Sequence, residues 1–367
     1  MKLFKILIFF LFCFTIQLAS AQKRFKDEIF PTIDSVNNIQ YGEAQNIKGN
    51  NEKLLLDVIF PPKSDTMKLR PLLIFIHGGG FQNNSKNGTY SSMVCNSFAK
   101  RGYVTATIDY RLGVEKSGIE DGKEVKTNTD YAEALYRAQQ DGKAAIRYFR
   151  KHAEEYGIDT SQIFITGSSA GSKTCLAIAY MNENEVPKEV NIKKWGSLEG
   201  NSGNEGYSSK VNGVMNAWGA MIDYKWIQKG DAPLFNTAGT EDKTVPYDSS
   251  YDYHGFKYGP YILFQHCLSL GIPTGWRPFY ATGHTLDNNK SKQDSCVQSM
   301  AAWLYTQLKI NKGKNDEGVL RWEKDINTFD SLNKVEKYSD NAIMFIGSSY
   351  IRMWKNIRTD RSEEHTS

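Results

Sequence analysis

A serine in a glycine-rich turn is the first candidate for chemistry in this chain. Ser169 stands at the centre of GSSAG at 167–171, between a predicted strand and a predicted helix. The flanking glycines permit a turn so tight that the serine oxygen is lifted to its tip, and the helix N-terminus behind it favours a developing negative charge. A serine hydroxyl is a weak nucleophile, so the motif predicts catalysis only with a base nearby.

A second glycine-rich turn, HGGGF at 77–81, follows a predicted buried strand. Without side chains, its main-chain N–H groups can approach a substrate oxygen closely. We predict that Gly79 and Gly80 donate to an oxyanion together with the N–H of Ala170. Loss of one such donor typically costs about 3 kcal/mol of transition-state stabilisation.

The predicted base is His284, in ATGHT at 281–285. It follows the last predicted strand at once, which places it at the same carboxyl edge of the sheet as Ser169. The other five histidines are assigned to the glycine turn (His77), two helices (His152, His266), a loop that could line the pocket (His254) and the C-terminal tail (His365).

An imidazole base needs a carboxylate that holds its tautomer. The segment GTEDKTVP at 239–246 follows another predicted strand, and Asp242 is the predicted partner of His284. Its neighbour Glu241 is expected to point elsewhere, and Asp231 and Asp248 remain alternatives.

The elements that must position these residues alternate between strand-like and helix-like segments from about residue 53 to residue 310. Such alternation predicts an α/β class with a mostly parallel sheet covered on both faces. Predicted strands cover 54–60, 71–76, 103–109, 162–166, 211–219, 233–238 and 276–280, and predicted helices cover 130–156, 170–180, 260–270 and 293–309.

Taken in order, HGGGF, Asp-Tyr-Arg-Leu at 109–112, GSSAG, GTEDKTVP and GHT resemble the carboxylesterase/lipase superfamily of α/β hydrolases. In detail, the chain is similar to the branch of exported bacterial esterases that includes acetyl xylan and feruloyl esterases. The resemblance implies an α/β-hydrolase fold and a two-step acyl transfer by Ser169, His284 and Asp242, without a metal or an organic cofactor. It also implies that Asp109 and Arg111 brace the glycine turn.

The sequence identifies the walls of the substrate pocket less specifically than it identifies the catalytic residues. Residues 181–210 and the aromatic loop 247–261 are the expected walls. Its tyrosines, with two tryptophans, either stack on sugar or aromatic rings of a substrate or serve as ordinary packing and surface residues: Tyr247, Tyr251, Tyr253, Tyr258, Tyr261, Trp218 and Trp226.

The first 21 residues predict export. Lys2 and Lys5 precede an apolar run that ends at Ala19-Ser20-Ala21, the pattern of a cleaved signal peptide. An uncleaved anchor is the alternative. We expect a mature start near Gln22, a secreted or periplasmic location, and no stable membrane insertion after cleavage.

Composition narrows the partners and cofactors. The chain has 367 residues and a formal net charge of +4 with no basic stripe, which argues against a nucleic-acid partner. No CxxC or His/Cys cluster predicts a metal site. Cys175 is expected to be a buried thiol, and Cys267 with Cys296 is a possible disulfide. The oligomeric state is not predicted.

The chain is divided into an esterase domain at 22–312, a linker with the beginning of an SGNH-like (GDSL-like) hydrolase domain at 313–360, and a terminal heptapeptide. MFIGSSYIRMW at 344–354 resembles the strand and serine that open SGNH domains, with Ser349 as nucleophile. The heptapeptide RSEEHTS at 361–367 translates the DNA of a sequencing adapter, so we expect it to be an artefact. Only Ser169 is therefore expected to act in this chain.

These features predict a secreted serine carboxylic ester hydrolase that deacylates decorated plant polysaccharide, with acetyl or feruloyl esters as substrates. A serine peptidase of the prolyl oligopeptidase type has the same fold and triad, but no propeller-like domain precedes the motifs. A non-catalytic esterase-like binding module is the third possibility, although such modules usually lose the serine, the base or the oxyanion turn.

Overall fold

A computed structural model of the protein describes residues 23–252 and 255–311. Its central sheet has eight strands: β1 (Asp34–Gln45), β2 (Asn51–Phe60), β3 (Arg70–Ile76), β4 (Val104–Ile108), β7 (Ile158–Ser168), β8 (Gly213–Ala217), β9 (Leu234–Gly239) and β12 (Thr274–Phe279). The remaining strands form two hairpins: β5 (Gly118–Glu120) with β6 (Lys123–Val125), and β10 (Ser249–Asp252) with β11 (Gly255–Tyr258).

The strand order is β1-β2-β4-β3-β7-β8-β9-β12. β1 and β2 pair antiparallel, as do β2 and β4, whereas every later neighbouring pair from β4 to β12 is parallel. The predicted mostly parallel sheet is therefore confirmed. Parallel strands place their carboxyl ends at one edge, and the candidate residues lie there.

Seven α-helices accompany the sheet: α1 (Thr89–Lys100), α2 (Asn128–Lys151), α3 (Ala153–Tyr156), α4 (Ala170–Tyr180), α5 (Ile192–Trp195), α6 (Pro260–Leu270) and α7 (Lys290–Gln307), counted over the described residues. α2 begins with a capping box, in which the Thr127 hydroxyl accepts from the Asp130 N–H and the Asp130 carboxylate accepts from the Thr127 N–H. α3 ends at Gly157, which has a φ of 62°.

Two hydrophobic cores cover the two faces of the sheet. In β3, the side chains of Leu72, Ile74 and Ile76 enter the core that contains α2, α4 and α6. Those of Leu73 and Phe75 enter the opposite core, with α1 and α7. This alternation explains why β3 is a continuous apolar run, since both of its faces are buried.

The cores also correct one expectation about the cysteines. Cys267 on α6 and Cys296 on α7 are both free and buried. They belong to the two cores on opposite faces of the sheet, so the proposed disulfide between them is wrong. Cys175 is buried and free, as expected.

The sequence analysis missed β1, α1 and both hairpins. β1 is an edge strand that pairs only with β2, and two register shifts interrupt its ladder. Most of its side chains are exposed or half-buried, so its sequence, DSVNNIQYGEAQ, lacks the apolar run by which buried strands are found.

The signal peptide at 1–21, the SGNH-like fragment at 313–360, the heptapeptide at 361–367, His254 and Tyr253 all lie outside the described residues. The boundaries of the domains therefore stay predictions. Of the helices that the structure describes, none combines the length and apolar character that a membrane crossing requires.

Candidate active site

The turn around Ser169 is built by close backbone contact between β7, α4 and β3. Ser169 has φ 53° and ψ −118°, a conformation that only a tightly constrained non-glycine residue adopts. A Cβ atom on Gly171 would lie 2.0 Å from the carbonyl oxygen of Ile76. Glycine is therefore required at 171, and the turn presents Ser169 at the carboxyl edge of the sheet.

The glycine turn at 77–81 lies beside Ser169. Gly79 has a φ of 111°, and a Cβ atom there would lie 2.1 Å from the carbonyl oxygen of Asn83. Gly80 and Ala170 both line the cavity that contains Ser169. Among the backbone hydrogen bonds of the turns, loops and helix caps in the described residues, the N–H groups of Gly79, Gly80 and Ala170 donate to no carbonyl.

Aromatic stacking supports the glycine turn from below. The rings of His77 and Tyr110 stack with centroids 4.4 Å apart, and the Tyr110 hydroxyl donates to the carbonyl of His77 at 3.0 Å. Burial lowers the pKa of His77. These contacts favour a neutral His77 as a packing residue of the turn.

Asp109 and Arg111, which were expected to brace the glycine turn, bind other segments. Asp109 accepts from the N–H of Lys86, in the loop that follows the glycine turn, at 2.7 Å. Arg111 instead forms a buried ion pair with Asp141 on α2, with an N–O distance of 2.8 Å. Its role is therefore to hold α2 rather than the glycine turn.

His284 joins Ser169 to Asp242 in a single hydrogen-bonded chain. Nδ1 of His284 lies 2.7 Å from Oδ2 of Asp242, and Nε2 lies 3.0 Å from Oγ of Ser169. A carboxylate can only accept, so Nδ1 carries a proton and Nε2 is left to accept from the serine. The structure thus brings together the three residues that the sequence analysis selected.

Asp242 is held by its own backbone turn. Its side chain is fully buried, and Oδ1 accepts from the N–H groups of Thr244 and Val245 at 2.8 and 2.9 Å. Glu241 is exposed. The two alternative partners of His284 bind other groups. The Asp231 carboxylate accepts from the N–H of Gln228, and the Asp248 carboxylate accepts from the N–H of Ser249.

An irregular turn positions His284. The four residues after it, at 285–288, all have φ between 52° and 57°, which is the left-handed region. The turn is anchored by buried Leu286, and Oδ1 of Asp287 accepts from the N–H of Gly283 at 2.9 Å. This conformation turns the chain sharply after β12, so the imidazole faces β7.

Ser169 opens into a cavity of about 600 Å³. Most of its wall is apolar, contributed by the glycine turn, α2, and the segments after α4, β8 and β9 (Phe81, Ala132, Leu135, Met181, Pro187, Ala220, Met221, Ile222 and Val245). Lys173, Glu189 and Lys257 supply the charged side chains of the lining. The sequence analysis did not select Lys173, although its place one turn after the N-cap residue Ser169 in the predicted helix was a signal that it lies near the serine.

Among the described tyrosines and tryptophans that were expected at the wall, packing is the observed role. Of the loop residues that the structure describes, at 247–252 and 255–261, Lys257 alone lines the cavity. Tyr247 and Tyr261 stack on each other with centroids 5.4 Å apart, and both pack against Trp276. Trp218 and Trp226 are buried, Tyr258 packs on Tyr224, and Tyr251 is exposed. Among the described residues, the aromatic side chains that line the cavity are Phe81, Tyr131 and Tyr136.

The expected wall at 181–210 is only partly right. Met181, Pro187 and Glu189 line the cavity, but no residue from 196–209 does. That later stretch, here named the tethered loop, is bound to α2: Glu199 pairs with Lys143 at 2.6 Å, and the Ser202 hydroxyl donates to Asp141 at 2.7 Å.

No group of three or more His, Cys, Asp or Glu side chains suited to a metal ion is found within 23–252 and 255–311.

Comparison with known proteins relates this architecture to esterases. Residues 56–224 match the BD-FAE family. That stretch includes the glycine turn and Ser169 and ends before Asp242 and His284. Gut esterase 1 of Caenorhabditis elegans is 32% identical over 119 residues, which are 32% of this chain and 19% of that protein. Fumonisin B1 esterase of Sphingopyxis macrogoltabida is 25% identical over 139 residues, which are 38% of this chain and 25% of that protein.

The aligned part of the chain thus spans a quarter or less of these two curated relatives. Solved structures match over a greater length. Thermogutta terrifontis esterase 2 phosphorylated by paraoxon superposes with a TM-score of 0.54 at 20% identity, covering 76% of this chain and 95% of that one. The apo form of the same esterase gives a TM-score of 0.53. Together with the sheet order, this likeness shows that the chain has the α/β-hydrolase fold.

Proposed function

We propose that the protein is an exported serine carboxylic ester hydrolase in which Ser169 is the nucleophile, His284 the base and Asp242 its partner. The observation that carries the proposal is the hydrogen-bonded chain of 3.0 and 2.7 Å through His284, at the tip of a constrained strand–helix turn. The esterase names of the relatives over the shared segment support the same reaction class.

The first half of the reaction is acyl transfer to the enzyme. Oγ of Ser169 attacks the ester carbonyl while Nε2 of His284 takes its proton. The N–H groups of Gly79, Gly80 and Ala170 would donate to the resulting oxyanion. The carbon–oxygen bond to the alcohol then breaks, and His284 gives its proton to the leaving oxygen.

The second half returns the serine. Water gives a proton to Nε2 of His284 as its oxygen attacks the acyl carbon. The bond to Oγ of Ser169 then breaks, the proton returns to Oγ, and the carboxylic acid is released. The buried Asp242 stabilises the imidazolium in both halves.

The cavity supports an acyl or alcohol group larger than acetyl. A volume of about 600 Å³ with a mostly apolar wall exceeds what a two-carbon acyl group needs. Aromatic Phe81 and Tyr131 in that wall suit a ring. We propose esters of decorated plant polysaccharide as the substrate class, with feruloyl favoured over acetyl by the size of the cavity.

The test compares the full mature chain with its Ser169→Ala variant on p-nitrophenyl acetate, methyl ferulate, acetylated xylan and a proline-containing peptide anilide. We expect Ser169-dependent release of ferulate and acetate. Cleavage of the anilide alone would replace the esterase by a peptidase. Folded protein without Ser169-dependent turnover would contradict the proposal altogether.

A further inference from the structure

The hydroxyl of Ser172 occupies the junction of the three elements that hold Ser169. Ser172 lies in the first turn of α4, three residues after Ser169, and its side chain is fully buried. Its Oγ lies 2.6 Å from the carbonyl oxygen of Gly167 on β7 and 3.0 Å from that of Ala217 on β8. The N–H of Ala217 donates to the same Oγ at 2.9 Å.

This placement coincides with the end of the ladder between β7 and β8. Gly167 is paired with Asn216 in the parallel register, so its carbonyl faces the N–H of Ala217. The Ser172 hydroxyl stands between these two groups, accepting from one and donating to the other. It therefore extends the ladder at the place where the chain leaves β7 to form the turn.

Ala217 connects this junction directly to the nucleophile. Its carbonyl accepts the N–H of Ser169 at 3.0 Å. The Ser172 hydroxyl thus holds two backbone segments beside Ser169. One is at Gly167, two residues earlier in the chain, and the other is at Ala217 on the neighbouring strand β8. A residue with φ 53° and ψ −118° keeps that conformation only when its surroundings over-determine it.

We propose that Ser172 is a positioning residue that sets the place of Ser169 Oγ relative to His284. The inference rests on the proposed function, since it assigns Ser172 an effect on the reaction of Ser169. Ser172 itself touches neither the base nor the cavity: its partners are the backbone groups of Gly167 and Ala217. Removing its hydroxyl therefore changes the position of the nucleophile and leaves the substrate wall intact.

The test uses Ser172→Ala in the full chain, with Thr166→Val as the matched control. Thr166 is also fully buried, and its hydroxyl also bridges β7 to β8, donating to Met215 at 2.9 Å, but it lies three residues before Ser169. We expect Ser172→Ala to lower kcat by about 10- to 100-fold with KM changed less than about 2-fold, because small misplacements of a reacting group are costly. Thr166→Val should keep kcat within about 2-fold of the wild type.

Phosphonylation by a fluorophosphonate gives a second readout, since it reports the reactivity of Ser169 without the ester substrate. Its rate should fall in parallel with kcat in Ser172→Ala. If that variant does not fold, Ser172→Cys, which keeps a weak donor and acceptor, should fold with lowered kcat and unchanged KM. The inference would be overturned if Ser172→Ala folds and has the same kcat as Thr166→Val. The same holds for Ser172→Cys if Ser172→Ala does not fold. A wild type without Ser169-dependent turnover would instead refute the proposed function.

Discussion

The two glycine turns at 77–81 and 167–171 and the tethered loop at 196–209 look alike in composition but are held in place differently. In the turns, glycine is required by backbone contacts, such as the one between Gly171 and the Ile76 carbonyl. In the tethered loop, a Cβ atom on Gly196 or Gly206 would meet no atom within 4 Å, and one on Gly200 would meet a side chain, that of Gln140 at 2.7 Å, rather than backbone. That loop is held instead by charged and polar side chains of α2, such as Lys143 and Gln140.

The difference separates function from stability within one molecule. The turns converge on Ser169 and line the cavity, whereas the tethered loop contributes nothing to it. Substitutions in the first region should therefore lower activity, and substitutions in the second should lower the free energy of unfolding.

The largest expected effect is on the reactive side. Asp242→Asn should lower kcat by about 10⁴-fold, because the amide no longer holds His284 in the tautomer that accepts from Ser169. The asparagine oxygen can still accept from Thr244 and Val245, so the melting temperature should change little. Steady-state kinetics and thermal melting measure both. Glu241→Gln, at the exposed neighbouring position, is the control. An equal loss of activity in that variant would contradict the assignment of Asp242 as the partner of His284.

Loss of a residue of α2 that binds the tethered loop should lower stability and leave activity unchanged. Asp141→Ala removes the partner of Arg111, and both side chains of this pair are buried. Leaving that guanidinium uncompensated should lower the free energy of unfolding by about 3–5 kcal/mol. Activity per folded molecule should be retained.

Urea denaturation measures the effect of Asp141→Ala, and Asp294→Ala is the matched control. Asp294 forms an exposed ion pair with Lys290 within α7. Its loss should cost about 0.5 kcal/mol or less. Equal losses in the two variants would show that the buried pair of Asp141 with Arg111 does not stabilise the fold more than an exposed ion pair.

A substitution in the cavity wall should change selectivity alone. Leu135→Trp fills part of the space beside Ser169, so kcat/KM for methyl ferulate should fall about 10- to 100-fold more than that for p-nitrophenyl acetate. Leu69→Trp, at an exposed position away from the cavity, should leave the ratio unchanged. If Leu135→Trp leaves the ratio of the two kcat/KM values unchanged, the feruloyl group does not bind beside Leu135.

The smallest expected effect is a pH dependence of stability in the tethered loop. Burial raises the pKa of Glu199, but the hydrogen bond and charge of Lys143 outweigh it, so the pKa lies below its ordinary value of 4.5. The folded state thus binds this proton less readily than the unfolded state, and Glu199 adds stability above pH 4.5 that is lost as the pH falls through the folded value.

Glu199→Gln should remove this part of the acid dependence. Because Glu199 is half-exposed, the change should be less than about 1 kcal/mol. Chemical denaturation between pH 3 and pH 7 tests it, with Glu205→Gln, exposed on the same loop, as the control. A Glu199→Gln curve parallel to the wild type would contradict the role of the Lys143 pair.

Local signals explain what could be read from the sequence. The bounds of α4 and α6 were predicted at both ends, because a glycine turn precedes one helix, and Pro260 and Gly271 bound the other. The residues brought together around His284 could be selected because each directly follows a strand of a parallel sheet. Topology then gathers them at one edge.

The cavity wall could not be read in the same way, because side-chain pairing decides it. Nothing local distinguishes Tyr247, which stacks on Tyr261, from Tyr131, which lines the cavity. The tethered loop was misjudged for the same reason. Glycine and serine predicted a loop correctly, but its partners, Lys143 and Asp141, lie on a helix more than fifty residues earlier.

The most direct test of the central claim is the site of covalent labelling. The wild-type chain would be treated with diisopropyl fluorophosphate and digested, and the modified residue identified by mass spectrometry. An activated Ser169 predicts one adduct on the peptide that contains GSSAG, none in Ser169→Ala, and a rate that falls sharply in Asp242→Asn. Labelling at another residue, or no labelling of folded enzyme, would contradict the account.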